Sequence, residues 1–236
     1  MGELTVSTAE VARFNALAAR WWDRTGPMRP LHAMNPARIG WIMAQARRRF
    51  GSFDGVRLLD VGCGAGLASE ALADRGFDVL GIDAAADVIA AARTHAEGIP
   101  GGRVPFYRVA AAEGLFAEGL RFPVIVALEV IEHVPDPAAF VRVLVDLLEP
   151  GGLLFLSTLN RTKRSLLIAK FGAEYVLRLL PVGTHDWRRF LSPVELAGLV
   201  RNAGARVTGT AGLSPSLGGW RTTRDLRVNY LLAAVK

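Results

Sequence analysis

The chain has 236 residues, 51% of them apolar, and a formal charge of +6. That length suits one well-cored α/β domain with additions and is short for two, so a single domain over 1–236 is expected. The start Met1-Gly-Glu-Leu-Thr-Val-Ser has neither a basic lead nor an apolar run of signal length. No uninterrupted apolar segment approaches the ~20 residues of a membrane-spanning helix. The lone cysteine, Cys63, excludes an internal disulfide and makes a reducing, cytoplasmic compartment the default expectation.

In chain order, residues from about Thr8 to Phe50 read as a helical cap (1–50). Phe14, Leu17, Trp21 and Trp22 recur at helical spacing, and Asn35-Pro36 is expected to open a second helix through Arg38, Ile39, Ile42 and Ala46. Apolar strands are then predicted at Arg57 to Val61, Val79 to Ile82, Pro105 to Val109, Pro123 to Leu128 and Leu153 to Thr158. They alternate with helices at Leu67 to Arg75, Ala85 to Glu97 and Pro137 to Leu148. Such alternation predicts a mostly parallel sheet with helices on both faces, the Rossmann-like α/β class. The turn signal Glu149-Pro150-Gly151-Gly152 is expected to introduce the fifth strand. A helix at Pro193 to Ala203 and strands near Arg206 to Leu213 and Asn229 to Val235 complete a seven-stranded prediction.

Within this pattern, Gly62, Gly64 and Gly66 alternate directly after the first strand, where they let the backbone turn sharply and leave the next helix with free amide donors. Asp83 closes the second strand, twenty-one positions beyond Gly62, where a nucleotide-binding unit puts an acid to accept ribose hydroxyls. A dinucleotide loop would read G-x-G-x-x-G, whereas Leu67 stands at the last position. The departure favours an adenosine-bearing ligand without a pyrophosphate, S-adenosylmethionine above all.

At the end of the fourth strand stand Glu129, Glu132 and His133. Were the chain helical there, the three would share a face. Two chemistries compete: His133, with Glu132, as general base, or all three as ligands of a divalent cation such as Mg; the plainer alternative is that Glu132 and His133 only hydrogen-bond a turn. Further on, seven Lys or Arg face two acids between Arg161 and Arg189, which places nearly all the net charge in one segment (161–189). Its leucines and basic residues together read as an amphipathic insertion suited to an anionic membrane surface.

Taken together, these residues resemble the ubiquinone-biosynthesis O-methyltransferase family of class I S-adenosylmethionine-dependent methyltransferases. The resemblance is carried by Trp21-Trp22-Asp23, Asn35-Pro36 with Arg38, the Asp60 glycine loop, Glu129-Val-Ile-Glu132-His133, Ser157-Thr158-Leu159-Asn160-Arg161 and Gly183-Thr184-His185-Asp186. It implies methylation of a hydroxyl on a polyprenyl phenol or catechol, with cofactor contacts at Arg38, Gly62, Asp83 and Leu128. It further implies peripheral association with the membrane, contacts with other ubiquinone-biosynthesis proteins, and no nucleic-acid partner. The chain departs from the family pattern at Leu213-Ser214-Pro215, on the expected ring-binding wall, and at Val109 to Gly114, which leaves the adenine contact to Glu113 or to backbone groups. Rival readings are a methyltransferase of another small apolar phenol or acid, and a basic nucleic-acid-binding protein with a regulatory adenosine site. The fourth strand's Leu128-Glu129-Val130 lacks the Asp/Asn-Pro-Pro-aromatic motif of base-amino methyltransferases, which speaks against the second.

Overall fold

The computed structural model describes residues 6–166 and 187–236. Period-two alternation builds the sheet. In β1 (Arg57–Val61), β4 (Phe122–Leu128) and β5 (Leu148–Leu159), Leu58, Val124, Val126, Leu153 and Phe155 face one side, while Leu59, Ile125, Ala127, Leu154 and Leu156 face the other. Both faces are therefore apolar and both need a cover.

On the first side the cover is α2 (Arg29–Phe50) with Ile39, Ile42 and Ala46, and α3 (Leu67–Ala73) with Ala68 and Leu72. On the second it is α5 (Ala112–Ala117), α6 (Pro137–Leu147) and α8 (Pro193–Asn202), which contribute Leu115, Phe140, Leu144, Leu196 and Val200. Each such fully buried Leu, Ile or Phe contributes about 1.5–3 kcal/mol. The ends of α6 and α8 follow from local chemistry. Asp136 accepts from the Ala138 and Ala139 amides, Ser192 and Glu195 form a reciprocal capping box, and a proline opens each helix.

Among the described residues the sheet has eight strands in the order β3-β2-β1-β4-β5-β8-β6-β7. β2 (Asp78–Asp83), β3 (Phe106–Val109), β1, β4 and β5 run parallel. β8 (Asn229–Val235) runs antiparallel between β5 and β6 (Arg206–Ser216). The class is as expected, and the count is one higher than predicted. The extra strand, β7 (Gly219–Thr223), pairs with β6 at the edge, where a mostly exposed Gly-Trp-Arg-Thr-Thr run carries no apolar alternation to announce it.

Two further differences have local causes. The second helix opens at Arg29 with Pro30 in its first turn, and Pro36 lies inside it, so Asn35-Pro36 is not its start. Strand β5 already begins at Leu148; Glu149 to Gly152 bulge out of the pairing, which resumes at Val124 opposite Leu153, with Gly151 at φ 75°. The remaining helices are α1 (Thr8–Asn15), α4 (Ala86–Glu97) and α7 (Lys163–Leu166). Most of the basic segment 161–189 lies outside the described residues. Among those described, no helix is long and apolar enough to cross a membrane.

Candidate active site

The strand order reverses between β1 and β4, and the carboxyl ends of the strands at that point form the crevice where open α/β sheets bind ligands. Here it is a cavity of about 460 Å³, whose lining includes Gly62, Asp83, Leu128, Glu129, Glu132 and His133. All the predicted site residues except Arg38 thus reach one space.

The glycine loop is built as the sequence demanded. Gly62, Gly64 and Gly66 take φ of 68°, 55° and 91°, and the amides of Gly62 and Cys63 both donate to the Ile82 carbonyl at 2.8 and 3.0 Å. Gly64 donates its amide to Asp83 Oδ2 at 3.0 Å, and Ala85 donates to Oδ1 at 2.9 Å. Burial raises the Asp83 carboxyl above its ordinary range while these two amides work against the rise. Beneath the loop, Asp60 is 1% exposed and accepts from Ser69 Oγ at 2.6 Å. Its burial, with some repulsion from Asp83, pushes its pKa up to about 6 against the pull of Ser69 and Arg38. Cys63 is buried, and that burial pushes its thiol far above the working range, which suits a space-filling role.

The tryptophan pair clamps this loop. Trp22 Nε1 donates to the Ala65 carbonyl at 3.0 Å, and a Cβ on Gly64 would stand 2.2 Å from the Trp21 ring. His95 stacks on Trp22 with centroids 3.4 Å apart and meets Glu70 through Nδ1 at 2.9 Å, so it packs on the clamp with part of its ring still exposed. His32 binds the Trp21 carbonyl at 2.9 Å.

Arg38 is 3% exposed and is not among the lining residues. Its Nη2 donates to Asn35 Oδ1 at 3.3 Å, and its Nε is buried without a partner. Burial works against its charge, whereas the nearby charges of Glu129 and Asp60 support it. Glu113, at the start of α5 beside the lining residues Ala111 and Ala112, has both carboxylate oxygens buried and unpartnered. Orphaned polar atoms of this kind fit a polar ligand that supplies the missing partners.

The end of β4 differs from the helical face expected. Glu129 is the non-glycine residue with positive φ (59°) among the described residues, and Ile131–His133 is a single 3-10 turn. A left-handed glutamate costs on the order of 1–3 kcal/mol, and it is held by its surroundings. Its amide donates to the Ser157 carbonyl at 3.0 Å, and its carboxylate accepts from Ser157 Oγ at 2.6 Å and from Asn229 Nδ2 at 3.0 Å. Glu132 is buried and accepts from Thr158 Oγ1 at 2.9 Å. Burial, and after it the charge of Glu129, raises the Glu132 carboxyl well above the carboxylate range. His133 turns Nδ1 to Glu10. The expected metal set Glu129, Glu132 and His133 is therefore divided among separate partners. As placed it makes no three-ligand site, and no group of three such donors converges among the described residues.

Ser157, Asn229, Trp21 and Glu10 were not singled out from the sequence as residues of this site. For Glu10 a signal existed: it stands one helical turn before Phe14, in the same stripe as Phe14 and Leu17.

A methyltransferase-domain family model matches residues 33–209. The chain is 46% identical to a ubiquinone biosynthesis O-methyltransferase of Caulobacter vibrioides, covering 98% of this chain and 95% of that protein. It is likewise 46% identical to one of Cereibacter sphaeroides, covering 98% and 97%. Among solved structures, magnesium protoporphyrin IX methyltransferase from Synechocystis with bound S-adenosylhomocysteine superposes with a TM-score of 0.70 over 97% of this chain and 98% of its own, at 20% identity. That likeness carries the fold. With the glycine loop, the strand-end acid and a histidine lining one cavity, and with near-full-length identity at this level, the chain belongs to the ubiquinone biosynthesis O-methyltransferases, enzymes of the S-adenosylmethionine-dependent methyltransferase fold.

Proposed function

We propose that the cavity holds S-adenosylmethionine against the ends of β1 and β2 and presents a hydroxyl of a polyprenyl phenol or catechol to His133. The observation that carries this reading is that Gly62, Asp83 and His133 line one cavity. When bound, the cofactor supplies a sulfonium-activated methyl carbon. The protein's part is to align the oxygen with that carbon and to take the phenolic proton.

Asp83 accepts from the ribose hydroxyls, Gly62 brings backbone close to the ligand, and Leu128 packs beside the nucleoside. Arg38 offers its unpartnered Nε toward the carboxylate end of the cofactor, the pairing a guanidinium favours. Glu113 offers its buried oxygens to the amino group of the adenine. His133 takes the phenolic proton, and Glu132 beside it supports the positive imidazolium that results. Apolar lining residues such as Phe14, Leu17 and Met34 suit the prenylated ring.

Transfer of labelled methyl to a short-chain prenyl catechol is the test. Turnover on the prenyl catechol with none on an unprenylated carboxylic acid supports the reading; the reverse overturns it.

A second reading rests on the charge of Glu129 raising Glu132. A divalent cation such as Mg, held by that carboxylate pair together with both oxygens of a catechol, would relieve the repulsion. Exhaustive chelation separates the readings: a base acting alone keeps its rate without metal, whereas a cation-dependent enzyme loses it and regains it with Mg.

The prenyl substrate is a bilayer molecule, and we place the enzyme at the membrane surface through the basic segment 161–189, within reach of other proteins of the same biosynthesis. Flotation with phosphatidylglycerol vesicles, lost in high salt and in a Lys163→Glu/Arg164→Glu/Lys170→Glu variant, supports this docking. Equal partitioning of wild type and variant sinks it.

A further inference from the structure

We propose that Glu10, on the N-terminal helix α1, is the positioning residue for His133: it fixes the imidazole's tautomer and ring plane, which makes α1 part of the reaction site. This rests on the reading of His133 as the base.

The geometry is direct. Glu10 Oε2 lies 2.9 Å from His133 Nδ1, across 123 positions of sequence. A carboxylate can only accept, so the proton on that line belongs to Nδ1 and the basic lone pair is left on Nε2. A base whose second nitrogen is held by a carboxylate presents one defined nitrogen to its substrate, and the carboxylate stabilises the imidazolium formed when the proton arrives. Phe14, one turn further along α1, meets the same imidazole edge to face, with centroids 5.2 Å apart at 84°. Two side chains of one helix thus set the ring's plane and its hydrogen bond together.

The surrounding charges agree with this arrangement. Glu10 is held by His133 and by Arg13, whose Nη1 lies 3.2 Å from Oε1. The hydrogen bond from His133 is the main influence lowering the Glu10 carboxyl. Burial works to lower His133, and the hydrogen bond to Glu10 with the charges of Glu132 and Glu10 outweighs it, Arg13 opposing. Glu10, Phe14 and His133 all line the cavity. A tie serving only to hold α1 down would not need to face the ligand space.

The experiment compares two acceptors, a short-chain prenyl catechol and its ring-nitrated analogue, whose more acidic hydroxyl needs less help from a base. In Glu10→Ala, kcat on the plain catechol is expected to fall by at least about 10-fold and by up to about 10⁴-fold, the latter being the loss when the carboxylate that orients a base imidazole is disabled. The nitrated acceptor should lose far less, and S-adenosylhomocysteine affinity should stay unchanged by calorimetry. Glu10→Asp, which keeps the charge and shortens the reach, should recover part of the loss. Where Glu10→Ala does not fold, Glu10→Gln, of the same size, is read in the same two-acceptor assay. An equal loss on both acceptors, or none, overturns the role of Glu10. His133→Ala is run alongside: if that variant keeps its rate, the base reading itself has failed, which is a different result from a fall in His133→Ala with none in the Glu10 variants.

Discussion

The Gly64 amide and the Asp83 carboxylate are joined at 3.0 Å, so the glycine loop after β1 and the acid ending β2 are one hydrogen-bonded unit. On the proposed reading of Asp83 as the ribose acceptor, cofactor recognition and loop geometry share a side chain.

Asp83→Ala should weaken S-adenosylhomocysteine binding by more than a lost diol contact alone, because the loop also loses its anchor. Each charge-assisted hydrogen bond removed costs about 1.5–3 kcal/mol, so calorimetry should show at least a tenfold rise in Kd. A dissociation constant equal to wild type would remove Asp83 from the site.

Gly64→Ala faces two penalties. The residue sits at φ 55°, where a non-glycine side chain costs about 1–2 kcal/mol, and its Cβ would meet the Trp21 ring at 2.2 Å. Chemical denaturation should show a lower midpoint, and Trp21→Ala in the same chain should restore part of it. Additive losses in the double variant would show that the two do not meet.

His133→Ala should lower kcat by roughly 10²- to 10⁴-fold with cofactor affinity retained. In the wild type, the network around His133 raises its pKa above the ordinary 6.5. The acidic limb of kcat/KM should therefore lie above that value, activity being lost as pH falls through it. A limb at or below 6.5, measured across pH 5 to 9, would contradict the pairing with Glu10.

Asp60 gives a stability signature. Its folded pKa of about 6 lies above the unfolded value of 3.8, mainly through burial. A raised pKa means the contribution is fully present below about 4 and is lost as pH rises through about 6. Comparing denaturation midpoints of wild type and Asp60→Asn at pH 4 and pH 7.5, the wild type should lose up to about 3 kcal/mol relative to the variant. A difference independent of pH would mean that Asp60 does not titrate in this range.

Where one force sets an element, the sequence displayed it. β1 and β8 have the bounds their apolar runs suggested, and α3, α4, α6 and α8 end within two residues of expectation, because apolar periods mark all four and a cap with a proline adds to them at α6 and α8. Gly62, Asp83 and Leu128 reach the cavity for the same reason: each ends a strand or stands directly after one. Long-range partners were not legible. Nothing near Glu129 in sequence announces that Ser157 and Asn229 will hold it left-handed, and that conformation is what turns the expected helical face into a 3-10 turn. Pro36 misled because proline commonly opens a helix, and here an earlier proline, Pro30, had already done so.

Helix α1 supplies a wall and a carboxylate to the cavity, yet none of its eight residues is buried. What it gives up when it peels away is the partly buried packing of side chains such as Val11 and Phe14 on the helical cap, and the sheet's own core need not notice. Heating should inactivate this enzyme before it melts: catalysis would be lost while calorimetry and circular dichroism still report an intact sheet. The amide protons of Thr8–Asn15 should exchange long before those of β1, β4 and β5.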